Sequence, residues 1–157
     1  MVIKYSKVVT GGTFDKIHLG HIALLSKAFE VGANVIIGVS SDEFAEAKGK
    51  VIHSYDERVT NLRRTIHSSF DDARFQIIKL NTTYGPAVIS EDVGALIVSI
   101  ERATVGYEIN KIRVIRGISP LSIIIVDMVR AEDGKPISSS RIRAGQIDSR
   151  GKLLRKE

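Results

Sequence analysis

Apolar residues fall along this 157-residue chain in two kinds of run. The first kind is short and nearly unbroken. Residues 34–39 (NVIIGV), 95–100 (ALIVSI) and 122–129 (SIIIVDMV) have the continuous apolar character of strands covered on both faces of a parallel sheet. Residues 7–10 and Phe75–Leu80 are read as two further strands, giving five in all. The second kind recurs at helical spacing. Leu19–Val31 reads as a helix closed by Gly32. Val59, Leu62, Ile66 and Phe70 share one face of another, behind a Ser54–Glu57 capping-box pattern. Residues 107–116 read as a helix stopped by Gly117, part of 40–50 (SSDEFAEAKGK) as a short helix, and a closing helix starts near Ser139.

Strands alternating with helices imply parallel pairing through right-handed crossovers. The predicted fold is α/β: a Rossmann-like five-stranded parallel sheet with helices on both faces. No internal repeat or linker interrupts the pattern, so one domain spanning 1–157 is expected, with 147–157 as a basic C-terminal tail. In such sheets a ligand crevice lies beyond the carboxyl ends of the strands, where the strand order reverses.

Composition narrows the function classes without choosing among them. The chain is 43% hydrophobic and 26% charged, as soluble globular domains are. It has no apolar stretch of membrane-spanning length and no signal-peptide core. It has no cysteine, which excludes disulfide and thiol chemistry and fits a cytoplasmic enzyme. The formal charge of +5 favours anionic ligands. A nucleic-acid module is disfavoured, because the basic residues are scattered and aromatics make up only 6%.

The chemistry concentrates at residues 10–21, TGGTFDKIHLGH. Gly11 and Gly12 let the backbone turn tightly at the end of the first strand, and a helix follows. A strand, a glycine turn and a helix N-terminus together make a phosphate site, because amide N–H groups and the helix dipole point at the anion. His18 and His21, three apart, face the same way. No third His, Cys or carboxylate at ligand spacing joins them, so no residue is assigned to a metal. The run is neither a GxGxxG fingerprint nor a Walker A loop. Further along, Lys48 and Lys50 flank a glycine in a turn that would ordinarily be solvated, and Ser138, Ser139 and Ser140 precede a helix that one of them caps. His53 and His67 carry no comparable context.

GGTFDKIHLGH resembles the GTFDxxHxGH signature of the HxGH nucleotidyltransferases, relatives of class I aminoacyl-tRNA synthetase catalytic domains. ISSSRIR at 137–143 is similar to the late ISSxxIR motif of that family. TYGPA at 83–87 and YEINKIR at 107–113 resemble its archaeal and eukaryotic phosphopantetheine adenylyltransferase branch. The match runs in order through nearly the whole chain. The resemblance implies transfer of the adenylyl group of ATP to 4′-phosphopantetheine, giving dephospho-coenzyme A and pyrophosphate, with Mg²⁺ on the phosphates. It implies catalytic roles for Thr13, His18, His21 and Lys48, with Lys50 as the rival of Lys48. ATP contacts are implied at Gly11, Gly12, Thr13, Phe14, His21, Ser138, Ser139, Ser140 and Arg141. Acceptor contacts are implied at Thr13, Lys48, Tyr84 to Pro86, Arg102 and Arg113. Where bacterial members carry RGLR, this chain has SIER at 99–102 and keeps only Arg102. Asp15 is expected to orient the turn. A sister nucleotidyltransferase, such as a nicotinamide-mononucleotide adenylyltransferase, and a non-catalytic nucleotide-binding regulator are the alternatives. Oligomeric state is open.

Overall fold

The computed structural model describes residues 3–49, 51–88 and 90–154. Five strands, β1 (Tyr5–Gly12), β2 (Gly32–Ser40), β3 (Phe75–Leu80), β4 (Ala95–Ser99) and β5 (Ser122–Val126), pair in parallel throughout, in the order β3-β2-β1-β4-β5. The chain therefore leaves β1 toward one edge, returns, and continues past β1 to the other edge. The reversal lies at the carboxyl ends of β1 and β4.

Residue alternation sends the two sides of each strand into different layers. Val8, Ile37 and Ile97 meet Leu25 and Ala28 of α1 (Leu19–Val31) and Leu62 and Ile66 of α3 (Tyr55–Ser69). Val9, Leu96 and Val98 meet Ile109 of α4 (Ala103–Ile115) on the opposite face. A short α2 (Asp42–Lys48) follows β2, and α5 (Ser139–Arg143) is the last helix of the described residues. Ser54 caps α3 as the sequence pattern predicts: its hydroxyl accepts the Glu57 N–H and donates to the Glu57 carboxylate.

Two boundaries differ from the apolar pattern. β5 stops at Val126, because Asp127 to Val129 leave the ladder and turn into the crevice. α4 starts four residues early, at Ala103, directly after a 3₁₀ turn over Ile100–Arg102. The basic tail is the larger correction. Ile147 is fully buried against Ala131 and Ile137, and an isolated bridge pairs it with Leu153. The turn between them presents the Ser149 carbonyl to the Leu19 N–H at 3.1 Å. Polar and charged residues and a glycine, from Asp148 to Lys152, separate Ile147 from Leu153, so the segment shows no helical or strand periodicity and reads as solvated. Of the four basic residues assigned to the tail, Arg155 and Lys156 lie outside the described residues.

Candidate active site

A cavity of about 290 Å³ opens at the carboxyl ends of all five strands. Gly11 and Gly12 do not turn as the sequence suggests but end β1 in the ladder, opposite Gly38 and Val39, because extended backbone carries them to the strand end. They line the cavity, as do Thr13 just after the strand, His18 and His21, Ser40 at the end of β2, Lys48, Tyr84, Arg102, the 126–129 segment and Ser138.

The histidines are held by the backbone of α1 itself. The N–H of Gly20 donates to His18 Nδ1 at 3.0 Å, and the N–H of His18 donates to His21 Nδ1 at 3.1 Å. A neutral imidazole whose Nδ1 accepts must carry its proton on Nε2. Each ring therefore keeps an Nε2–H donor. The rings stack at 3.9 Å between centroids. Burial holds His18 down to about 4; burial, with His18 alongside, holds His21 down to about 3. Both are neutral donors at ordinary pH. Gly20 is required for this arrangement, since a Cβ there would stand 2.8 Å from His18 Cε1.

The expectation that free helix amides hold the anion is corrected. The Leu19 N–H donates to Ser149, that of Gly20 to the His18 ring, and those of His21 and Ile22 to the His18 carbonyl. The first turn of α1 spends its amides on the chain, and the imidazoles take their place.

Thr13, Ser40 and Lys48 form the opposite corner. Thr13 Oγ1 lies 3.5 Å from Ser40 Oγ, and Lys48 Nζ lies 3.4 Å from that same hydroxyl and 4.2 Å from the Phe44 ring centre. Burial, then the Arg102 and Arg58 guanidiniums, hold the Lys48 ammonium below its usual value. Lys48 and Arg102 thus share one end of the cavity and form a cationic corner suited to a phosphate. Lys50, the rival candidate, lies outside the described residues.

Several expected contacts are placed elsewhere. Phe14 is buried with φ of 55°, and its ring packs 5.0 Å from that of His21, so it supports the cavity from behind. Such a backbone conformation costs a non-glycine residue about 1–3 kcal/mol and persists only where packing enforces it. Ser138 lines the cavity and caps α5, accepting the Arg141 N–H. Ser139 instead donates to the Lys16 carbonyl, and the Ser140 hydroxyl accepts from Arg143. Arg141 folds back onto Asp133, Gln146 and the Pro136 carbonyl, because the 130–136 hairpin brings that carboxylate alongside. Gly85 does not line the cavity; its φ of +53° makes a turn against the Leu80 side chain. The Pro86 side chain lies outside the described residues. Arg113 is fully buried and donates to the Ser119, Ala87 and Ser90 carbonyls, so it braces the wall from inside and presents no charge to a ligand.

Sequence reasoning also missed a network behind the site. Asp15 accepts the Ile52 and His53 amides, the His53 ring lies within 3.2 Å, and Arg143 donates at 3.1 Å. Burial opposes its charge, but these hydrogen bonds and the Arg143 charge hold its carboxyl below the usual carboxylate range. Asp15 therefore does orient the turn, by joining the first motif to the late one. Arg58, buried completely in α3, donates to the Thr13 and His53 carbonyls and to Asp42. A basic residue four positions after a helix cap looks solvated in sequence. Only the spacing of Arg58 from Leu62 and Ile66, on one helical face, hinted otherwise.

Taken together, a parallel sheet with a reversal cleft, two neutral imidazole donors and a cationic corner define a nucleotide-handling α/β domain of the HxGH type. Residues 9–145 match the cytidylyltransferase-like family model, and the chain belongs to that family. Within it, the chain is 48% identical over 153 residues to the phosphopantetheine adenylyltransferase of Methanothermobacter thermautotrophicus, covering 98% of this chain and 92% of the relative. A crystal structure of an Archaeoglobus fulgidus protein of unknown function superposes with a TM-score of 0.73 at 31% identity, over 77% of this chain and 89% of that one. Tyrosyl-tRNA synthetase from the same organism shares the fold, with a TM-score of 0.60 at 15% identity over 88% of this chain and 60% of that one.

Proposed function

We propose that the cavity brings ATP and 4′-phosphopantetheine together and transfers the adenylyl group to the acceptor, giving dephospho-coenzyme A and pyrophosphate. One observation carries the reading: two Nε2–H imidazole donors and the Thr13–Ser40–Lys48 corner line one cavity at the sheet reversal. The relatives that carry the name of this activity span nearly the whole chain.

An ionised phosphate is already a nucleophile, so the protein needs no activated serine or cysteine. Its work is alignment and charge stabilisation. His18 and His21 would donate to the α- and β-phosphates of ATP, stabilising charge as the pyrophosphate departs. Lys48 and Arg102 would hold the acceptor phosphate, and Thr13, between the two groups, would donate to a phosphoryl oxygen. Ser138 and the 126–129 segment would border the nucleoside. The apolar wall of Ala87, Leu96, Val98, Val105 and Ile109 suits the pantetheine arm, with Tyr84 at its rim. Among the described residues no three His, Asp or Glu side chains group to cage an ion. Mg²⁺ would come in on the nucleotide phosphates, where it would neutralise charge and keep most of its waters. Among the described residues no helix is long and apolar enough to cross a membrane, and we place the reaction in the cytoplasm.

Pyrophosphate release tests this directly, with ATP, Mg²⁺ and 4′-phosphopantetheine set against nicotinamide mononucleotide, flavin mononucleotide and glycerol 3-phosphate, and CTP as the alternative donor. Turnover with ATP and 4′-phosphopantetheine alone is the expected result. Turnover with another pair would move the substrate, and ATP binding without turnover would make the chain a regulator.

A further inference from the structure

The corner formed by Thr13, Ser40 and Lys48 is assembled from three separate pieces of chain. Thr13 lies in the turn after β1, Ser40 ends β2, and Lys48 ends α2. Their side chains meet only through contacts of 3.4 and 3.5 Å at the Ser40 hydroxyl, too long to set the spacing themselves. The rigid connection lies one layer behind. Arg58 Nη1 donates to the Thr13 carbonyl at 2.8 Å, Nη2 to Asp42 Oδ1 at 3.0 Å, and Nε to the His53 carbonyl at 3.1 Å. Asp42 opens α2, and its same oxygen accepts the Tyr55 N–H at 2.8 Å. One planar, fully buried cation therefore links the Thr13 turn to the first residue of the helix that ends in Lys48.

We propose that Arg58 is a positioning residue for adenylyl transfer, fixing the distance between Thr13 and Lys48 and so the seat of the acceptor phosphate. This rests on the reading above that the cavity takes a phosphorylated acceptor. Arg58 does not line the cavity and acts on it only through the Thr13 turn and Asp42 of α2. A lysine keeps its charge but cannot reach three acceptors in three directions. The Arg58 charge also reaches Lys48, as a lesser cause of that ammonium's lowered proton affinity, so the two groups are coupled as well as aligned.

The test uses the full chain as Arg58→Lys and Asp42→Asn. Asp42 is half exposed, so its substitution loosens α2 while Arg58 keeps its two carbonyls. Arg58→Lys is expected to lower kcat about 100-fold and Asp42→Asn to raise the acceptor KM about 10-fold, the scale of an ångström of misplacement. The KM for ATP, set by the histidine side, should stay within about twofold. Equal losses for both substrates that track the fall in Tm would reduce Arg58 to a fold-stabilising residue and overturn the proposal. So would a folded Arg58→Lys protein with wild-type kcat and acceptor KM. If Arg58→Lys does not fold, Asp42→Asn decides alone, on its acceptor KM.

A second readout separates this from the choice of acceptor. Inorganic phosphate should protect the Lys48 amine of the wild type against acetic anhydride, and Asp42→Asn should need about 10-fold more phosphate for the same protection. Protection in the wild type without turnover on 4′-phosphopantetheine would sink the acceptor assignment and leave Arg58 to the protection ratio. Equal protection in both proteins would overturn the role of Arg58, as would none in the wild type.

Discussion

The two ends of the cavity are built on opposite plans. At the phosphate end, polar side chains face inward and are braced by Arg58, whose buried charge has the Asp42 carboxylate against it. At the arm end, the facing groups are Ala87, Val98 and Ile109, and the brace is Arg113, which donates only to backbone carbonyls. Burial lowers the proton affinity of Arg113, with Glu91 opposing this from a distance. Neither arginine lines the cavity. The difference lies in what each holds: Arg58 ties the Thr13 turn to the helix that ends in Lys48, the groups proposed above to meet the acceptor phosphate, whereas Arg113 holds a loop against α4. Substitutions at the first end should cost rate, and at the second end stability and acceptor affinity.

The widest separation is expected at His21. His21→Ala removes a donor that strengthens as charge develops, so turnover should fall about 10²–10⁴-fold with the melting temperature little changed. Near-normal turnover would take His21 out of the mechanism and erase the contrast. Arg113→Met should behave in the opposite way. It strands three carbonyls, one of them that of Ala87 in the wall, and should cost roughly 3 kcal/mol of stability in a denaturant melt. The acceptor KM should rise while the ATP KM holds. Lost kcat at unchanged stability would show that the two ends are not so distinct.

Acid should act on the phosphate end first. The native histidines resist protonation down to about 4 and about 3, whereas the unfolded chain takes up protons near the ordinary value of 6.5. Stability should therefore be independent of these rings above that value and fall as pH drops from there toward 4. A melting series from pH 8 to 4 measures it, and the slope between about pH 6.5 and 5 should flatten in a His18→Gln, His21→Gln double variant, with the fall that Asp15 causes persisting nearer pH 4. The smallest effect belongs to Tyr84→Phe. Its hydroxyl donates to Glu108 at 2.9 Å on an exposed rim, so its loss should change acceptor KM by less than about threefold.

The fold was legible because its signals are local. Unbroken apolar runs and helical spacing gave all five strands and the main helices, with errors confined to ends. The facing residues of the phosphate end were legible too, since TGGTFDKIHLGH compresses a strand end, a turn and a helix start into twelve positions. The braces were not. Arg58 and Arg113 each read in sequence as a charged residue on a helix; the family resemblance points Arg113 at a ligand, and no motif marks Arg58. What separates a solvated arginine from a buried one is a set of carbonyls brought in from distant turns. His53 carries no sequence signal for the same reason: its partner, Asp15, is thirty-eight positions away. Ser139, Ser140 and Arg141 sit in a motif that names its neighbourhood, but the hairpin beside it decides which way each side chain turns.

The docking of Ser149 onto Leu19 has a consequence for how the molecule is made. A ribosome delivers the chain from its N-terminus, and the sheet order can be completed once β5 has emerged. The start of α1, however, still lacks the carbonyl that accepts its first amide, and Asp15 still lacks Arg143. Both arrive in the last portion of the described chain. A nascent or prematurely terminated polypeptide can thus own every strand and both histidines and still have an unfinished nucleotide site.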